Sequence, residues 1–378
     1  MKKSQQSLVQ STDPKKRVGL FVIKKMSNRV TIIVKNKEQV SGMNQYKLHN
    51  VLESMRLPNG AYVASTSDDY DYIWIRDVCY TVMPYLTSKC TRYEKAYHSL
   101  LSLLRKYEWK LDIHTKQKPV YLHEYIHSRY SKDLEEIPVE WGHAQNDAIG
   151  ILLFGIGQGI QVGKPILRDK VDYRIVQKLV NYLECLEYWK NPDNGMWEEN
   201  VEIHASSVGA CVAGLKAVRT LVEVPQELIQ KGERTLDRLL PAESATKEVD
   251  LSLLSLIYPL RVVSRSTAIK ILERITERLE RERGVLRYEG DQYYNEGSEA
   301  EWCFGFPWLG LCYGQIGQVD KMNEYFEKTM TITPESGKIP ELYIGGTDVP
   351  NKNTPLAWSV SMTYQLLERM AQSQENVS

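Results

Sequence analysis

The 378-residue chain has only six cysteines, Cys79, Cys90, Cys185, Cys211, Cys303 and Cys312, and no close Cys-x-x-Cys pair among them. That spacing excludes a compact disulfide framework or a cysteine zinc site and reads as buried thiols in a reducing compartment. There is no excess charge of either sign. With 48 Lys+Arg against 48 Asp+Glu the net charge is zero, so the basic footprint that nucleic-acid binding needs is missing. Long apolar runs are missing too. The longest, Ala148 to Gly157, falls well short of the ~20 residues of a spanning helix. The polar start, MKKSQQSLVQSTDPKK, has no apolar core of a signal peptide. The expectation is a cytoplasmic protein with neither nucleic acid nor membrane among its partners. Phenylalanine is scarce, at 5 against 23 Tyr and 8 Trp. Rings with a polar edge suit half-wet surfaces such as a sugar cleft, although a merely Tyr-rich core gives the same counts.

What is present is ordinary globular material, 42% hydrophobic and 25% charged, enough to bury a sizeable core. Residues 1–45 carry two short apolar runs, Val18 to Ile23 and Val30 to Val34, and are expected to form a small hairpin or extended lead-in. From Tyr46 onward two kinds of helical segment alternate. One kind is one-sided: Tyr93, Tyr97, Leu100, Leu101, Leu104 and Tyr107 share a face, while Lys95, His98, Ser102 and Arg105 fill the other. Lys47 to Met55, Tyr173 to Trp189, Gln226 to Leu240, Ser266 to Arg281 and Asp320 to Met330 behave likewise. The other kind is apolar all round and rich in small residues: Val78 to Leu86, Ala148 to Ile160, Ser206 to Val218, Leu251 to Leu260, Phe306 to Ile316 and Ala357 to Leu367. Helices without a wet face are buried. An outer, inner, outer, inner order repeated about six times predicts an all-α fold, an (α/α)6 toroid over residues 46–372, with 373–378 as a tail. A stacked α-solenoid is disfavoured because its fixed repeat of ~34–47 residues is absent.

The polar clusters lie just ahead of the expected inner helices: Asp68 to Asp77, Trp141 to Asp147, Trp197 to Asn200, Arg287 to Asp291 and Ile339 to Leu342. In a toroid these loops open at one end and converge on one acidic, aromatic pit. Paired carboxylates in such a pit are what glycoside hydrolysis needs, one to protonate the leaving oxygen and one to activate water or attack carbon.

The segments NGAYVASTSDDYDYIWIRDVCYT, WGHAQNDAIG, NPDNGMWEEN, VLRYEGDQYYN and PEL with TPLAWS resemble, in this order, the inverting glucoamylase-type enzymes of glycoside hydrolase family 15, over roughly Tyr46 to Met370. The resemblance implies that Glu198, after the tryptophan of Trp-Glu-Glu, is the general acid. Trp197 and Glu199 beside it would raise its pKa by partial desolvation and like charge. It implies that Glu341 is the general base; Glu335 competes, but Pro334-Glu335-Ser336-Gly337 reads as an exposed turn. By the same resemblance Arg76 and Asp77 clamp the terminal glucose, unless they only form a helix-capping pair. Tyr70 and Trp74 wall its pocket, Arg287 binds a hydroxyl of the same or next sugar, and Trp141 and Trp358 complete the aromatic wall, Trp358 having an alternative core role. Gln145 and Glu199 join the substrate-binding set, and no cofactor is required. The short lead-in, where many bacterial relatives carry a β-sandwich, points to a single-domain form similar to isomaltose glucohydrolase. The implied substrate is then a short α-1,6- or α-1,4-linked gluco-oligosaccharide, hydrolysed to β-glucose.

Two competing readings come from elsewhere. Glucoamylase-like domains also occur, without catalysis, in phosphorylase kinase regulatory subunits, although a binding module has no need of a paired acid and base. His123-Glu124-Tyr125-Ile126-His127 fits H-E-x-x-H, which on a helix aims two imidazoles at one zinc. A third ligand at the elaborated spacing is lacking, so no metal is expected.

Overall fold

A computed structural model describes residues 20–26, 29–35 and 37–375, with side chains from Asn44 to Ser373. Residues 1–19 and 376–378, parts of the expected lead-in and tail, lie outside the described residues. Strand β1 (Leu20–Met26) pairs antiparallel with β2 (Arg29–Lys35), with Ile23 in register with Ile32. Helix α1 (Lys37–Ser54) follows and begins ten residues before the expected Lys47.

The one-sided segments form helices whose apolar face is buried and whose other face is wet. In α3 (Arg92–Lys106), after the short inner helix α2 (Ile75–Thr81), Tyr93, Tyr97, Leu100, Leu101 and Leu104 are buried while Lys95 is exposed. A short helix, α4 (Glu108–His114), extends it. Helix α5 (Asn146–Gln161) is buried at every residue from Asn146 to Leu153. Outer helix α6 (Lys170–Leu186) starts at Asp169, whose carboxylate accepts the N–H groups of Val171 and Asp172; such a cap contributes about 1 kcal/mol. The remaining helices are α7 (Ala205–Val218), α8 (Gln226–Leu239), α9 (Arg265–Arg278), α10 (Gly305–Gln315), α11 (Val319–Ile332) and α12 (Ala357–Glu375).

Side-by-side packing closes the ring. α2 packs on α5, α5 on α7, α7 on the segment Leu251–Leu256, that segment on α10, α10 on α12, and α12 back on α2. Around them, α1, α3, α6, α8, α9 and α11 each pack on one or more of these six, so the alternation expected of an (α/α)6 toroid is met. The α5–α7 contact depends on glycine: a Cβ on Gly150 would sit 2.3 Å from the Ala210 carbonyl carbon, and one on Gly214 2.4 Å from the Gly150 oxygen. Two inner positions are shorter than the sequence predicts. The fourth, expected as a helix over Leu251 to Leu260, is a 3-10 turn over Leu251–Leu256. The first ends its α-helix at Thr81 and continues as a 3-10 turn, Met83–Tyr85. The reason is proline: Pro259 and Pro84 lack an N–H and disfavour helical geometry at the residue before them.

Short strand pairs fasten the loops at one end of the ring. β3 (Ile73–Trp74) runs into α2 and pairs with β4 (Arg129–Tyr130), putting Trp74 opposite Arg129. β5 (Glu301–Trp302) leads toward α10 and pairs with β6 (Leu342–Tyr343), which follows Glu341 directly. Among the described residues no helix is long and apolar enough to cross a membrane.

Candidate active site

The loops ahead of α2, α5, α7, α10 and α12 meet as expected, joined by the one ahead of the 251–256 turn, and Glu198 sits among three of them. It belongs to a tight turn in which the Glu198 N–H donates to the Gly195 carbonyl (3.2 Å) and the Asp193–Glu202 bridge closes the base. Gly195 and Glu198 both have left-handed backbone, with φ of 62° and 63°. For glutamate that geometry costs on the order of 1 kcal/mol, so the surroundings must enforce it. Asp193 does much of this: its carboxylate accepts from the N–H groups of Asn146 and Gly195 and from the Ser207 hydroxyl, tying the turn to the starts of α5 and α7. Burial pushes the Asp193 carboxyl up to about 7.

The Glu198 carboxylate is met by donors only. The Trp74 indole N–H donates to Oε1 (2.9 Å), the Trp141 indole N–H to Oε2 (2.7 Å), and Arg76 Nη2 to Oε1 (3.3 Å). Arg76 is buried; its Nη1 donates to Gln145 (2.8 Å) and Asp147 (3.2 Å), and Asp77 lies 3.7 Å from its Nε. Gln145 in turn donates to the Gly142 carbonyl. Asp77 lies in the first turn of α2 and makes no capping bond. Burial pushes its carboxyl up to about 7, against the pull of Arg76 and helped by the charges of Glu198 and Glu341.

The expected neighbours of Glu198 turn elsewhere. Trp197 spends its N–H on Asp250 (2.8 Å) and packs against Phe304 and Trp302. Glu199 faces away, accepting from Arg287 (2.7 Å), Tyr288 (2.5 Å) and Lys247 (3.2 Å). Two cations thus match its charge, and the indoles on Glu198 are those of Trp74 and Trp141. Arg287 is forked onto Asp291 at 2.7 and 2.6 Å, among the rings of Trp302, Tyr293 and Trp197. Trp358 is buried behind the wall, stacked on Tyr80 (4.4 Å) and Phe304 (4.9 Å).

Glu341 has a different setting. Its backbone is pinned on both sides, N–H to the Asn353 carbonyl and carbonyl to the Cys303 N–H, each 3.0 Å. Its side chain is buried, and Oε2 accepts the amides of Asn351 (2.5 Å) and Asn353 (2.7 Å) and the Tyr293 hydroxyl (3.3 Å). Burial pushes its pKa above the usual carboxylate value, with the two amides and Arg287 pulling the other way. Tyr70 joins the two halves: its hydroxyl is 3.0 Å from that of Tyr293, and its ring stacks on Trp74 (5.2 Å), which bonds Glu198. Glu335 is exposed and meets Lys47 through its backbone oxygen.

The family model for Glycosyl hydrolases family 15 matches residues 43–310. The chain belongs to this family. Among curated relatives, a probable phosphorylase b kinase regulatory subunit alpha of Caenorhabditis elegans is 25% identical over 84% of this chain and 32% of its own length. The skeletal muscle isoform of that subunit from Oryctolagus cuniculus is 29% identical over 54% of this chain and 20% of its own. The chain therefore spans a third or less of those relatives. Among solved structures, a glycosidase in complex with glucose superposes with a TM-score of 0.78 at 20% identity, covering 89% of this chain and 99% of the other. A glucoamylase from Saccharomycopsis fibuligera gives 0.65 at 14%, covering 89% and 96%. At such identities these likenesses establish the fold.

Within this family 15 domain several pit residues carry no signal of their own in the sequence. Asn351 and Asn353 sit in a loop before Thr354-Pro355 that has no motif or periodicity, and Tyr293 lies inside VLRYEGDQYYN with no spacing that singles it out. Arg129 arrives on β4, Trp302 on β5 and Lys247 from the loop before the 251–256 turn, none of them within a motif. The H-E-x-x-H motif does not form the helix it needs. Leu122–Glu124 is a 3-10 turn, the following residues are extended, and the His127 ring stacks on His143 at 3.7 Å. Among the described residues no cluster of three or more His, Cys, Asp or Glu is arranged to hold a metal.

Proposed function

We propose that the protein is an inverting, exo-acting α-glucoside hydrolase that releases β-glucose from the non-reducing end of short α-1,6- or α-1,4-linked gluco-oligosaccharides. The observation that carries this reading is a pair of carboxylates, Glu198 and Glu341, in contrasting cradles along one wall made by Trp74, Tyr70 and Tyr293. Glu198 gives its proton to the glycosidic oxygen as the C1–O bond breaks. Water attacks C1 from the opposite face and loses its proton to Glu341. To donate, one Glu198 oxygen exchanges an indole donor for the glycosidic oxygen. Oε2, held by Trp141 alone, has the fewest bonds to give up. At Glu341 all three bonds fall on Oε2, which leaves Oε1 to the water.

The buried Arg76–Asp77 pair supports exo action, because it offers polar groups to a terminal glucose. Trp141, Gln145 and Arg287 then serve the same or the next sugar, with Glu199, turned away from Glu198, bonded to Arg287. We place the reaction in the cytoplasm, in keeping with six free thiols among the described residues. The test is a product assay over α-linked disaccharides, with the first-formed anomer followed by NMR. β-Glucose is expected, lost in Glu198→Gln; no hydrolysis of any α-glucoside overturns the reading.

A second reading is favoured by the curated relatives, which are named as regulatory subunits: a sugar-binding domain without turnover. Calorimetric binding of glucose or isomaltose with no product formed would support it instead.

A further inference from the structure

Arg129 stands apart from the other cations of the pit. Arg76 and Arg287 are each forked onto carboxylates, and Lys247 bonds Glu199. Arg129 is only 8% exposed, yet its Nε has no hydrogen-bond partner. Its guanidinium feels Glu198, Tyr72 and Tyr70 by charge alone. Leaving a buried N–H without a partner is costly, so the site gains something from keeping it. What surrounds it is aromatic. The guanidinium lies 3.5 Å from the Trp141 ring centroid, 5.5 Å from that of Tyr72 and 5.6 Å from that of Trp74. Trp74 is also its cross-strand neighbour in the β3–β4 pair.

The two indoles that Arg129 touches are the two that donate to Glu198. From this juxtaposition we infer that Arg129 is a positioning residue for Glu198. Its planar face, stacked on Trp141 and set against Trp74, fixes both indole N–H groups on the carboxyl, and its unneutralised charge favours the ionised form. A cation stacked on an indole attracts the ring and polarises its N–H as a donor. Besides Arg129, the charged groups facing Glu198 are Arg76 and Asp77 from α2, Asp147 from α5 and, across the pit, Glu341. Arg129 also acts by charge on His143, whose pKa burial holds down at about 3, so that histidine is neutral at ordinary pH. Arg76 is already shared among three carboxylates. Arg129 is then the cation whose charge is not divided, and its removal should move Glu198 most selectively.

The inference deepens the hydrolase reading, but one arm of its test does not depend on turnover. Trp74 and Trp141 report on Glu198 through their N–H bonds, so intrinsic fluorescence of the full chain is titrated with pH. The Glu198 transition is identified as the one that disappears in Glu198→Gln. In Arg129→Met, losing a nearby cation should move that midpoint up by roughly one pH unit at low salt; Arg129→Lys should hold it near the wild-type value. If the wild type hydrolyses α-glucosides, the basic limb of kcat/KM moves up by the same amount in Arg129→Met, because the acid keeps its proton longer. An unmoved midpoint, within ~0.2 unit, in a folded Arg129→Met protein overturns the inference. Absent hydrolysis in the wild type overturns only the proposed reaction, since the fluorescence arm still reads the charge effect.

Discussion

The two carboxylates of the pit are the same residue type in opposite surroundings. Glu198 stands half-buried on a turn with left-handed backbone, held by two indoles and a guanidinium that themselves line the pit. Glu341 is buried beside a strand pair, its backbone bonded on both sides and its side chain met by two amides. A group that must approach and protonate a substrate oxygen gains from donors the substrate can displace. A group that must fix a water gains from rigid neighbours and from burial, which raises its affinity for a proton. The contrast fits the proposed division of work, with the acid on the adjustable side and the base on the fixed side.

The sharpest way to break that assignment is to neutralise each carboxylate and vary the leaving group. Glu341→Gln should lower turnover about 10³-fold for isomaltose and for α-glucosyl fluoride alike, since both need an activated water. Glu198→Gln should lose a similar factor with isomaltose but only a small one with the fluoride, whose departure needs little protonation. Steady-state kinetics on both substrates checks this, and equal losses of Glu198→Gln on the two would reverse the roles.

A smaller effect tests the amide cradle. Asn353→Ala removes a donor that favours the ionised Glu341, so the Glu341 pKa rises further. The acidic limb of the rate profile should shift to higher pH by roughly half a unit to one unit, with about tenfold lower kcat.

Two buried histidines near Arg129, His127 and His143, predict a pH-dependent stability effect. Burial, together with Lys110, holds His127 down at about 4, and burial, together with His127, Lys110 and Arg129, holds His143 down at about 3. Both folded-state values lie below the ordinary value of ~6.5, so the unfolded chain binds the extra protons as pH falls. The stabilisation is complete above pH ~6.5 and is lost progressively as pH drops toward the folded-state values. Asp77 and Asp193, pushed up to about 7, contribute with the opposite sign over the same range, so the readout is a difference: between about pH 7 and pH 5 the melting temperature of the wild type should fall by a few degrees relative to that of His143→Gln. The smallest expected effect is that of Glu335→Ala. An exposed side chain in a turn should change kcat/KM by less than about twofold, and a large loss would move the base to that loop.

The sequence by itself determined the alternation of one-sided and all-apolar helices, because period and the absence of a wet face are local properties of side-chain order. It also determined which loops carry acids and aromatics. Proline limited that legibility at Pro84 and Pro259, where apolar runs promised longer inner helices than the backbone forms. Only the tertiary structure decided which groups touch Glu198. Trp197 and Glu199 are its neighbours in sequence, yet the turn points them to Asp250 and to Arg287, while Trp74 and Trp141 arrive from two other loops. The same holds for Asn351, Asn353 and Arg129, which have no distinctive spacing. A carboxylate's setting is fixed by groups within a few ångströms in space, and in a closed ring of helices those groups are drawn from loops far apart along the chain.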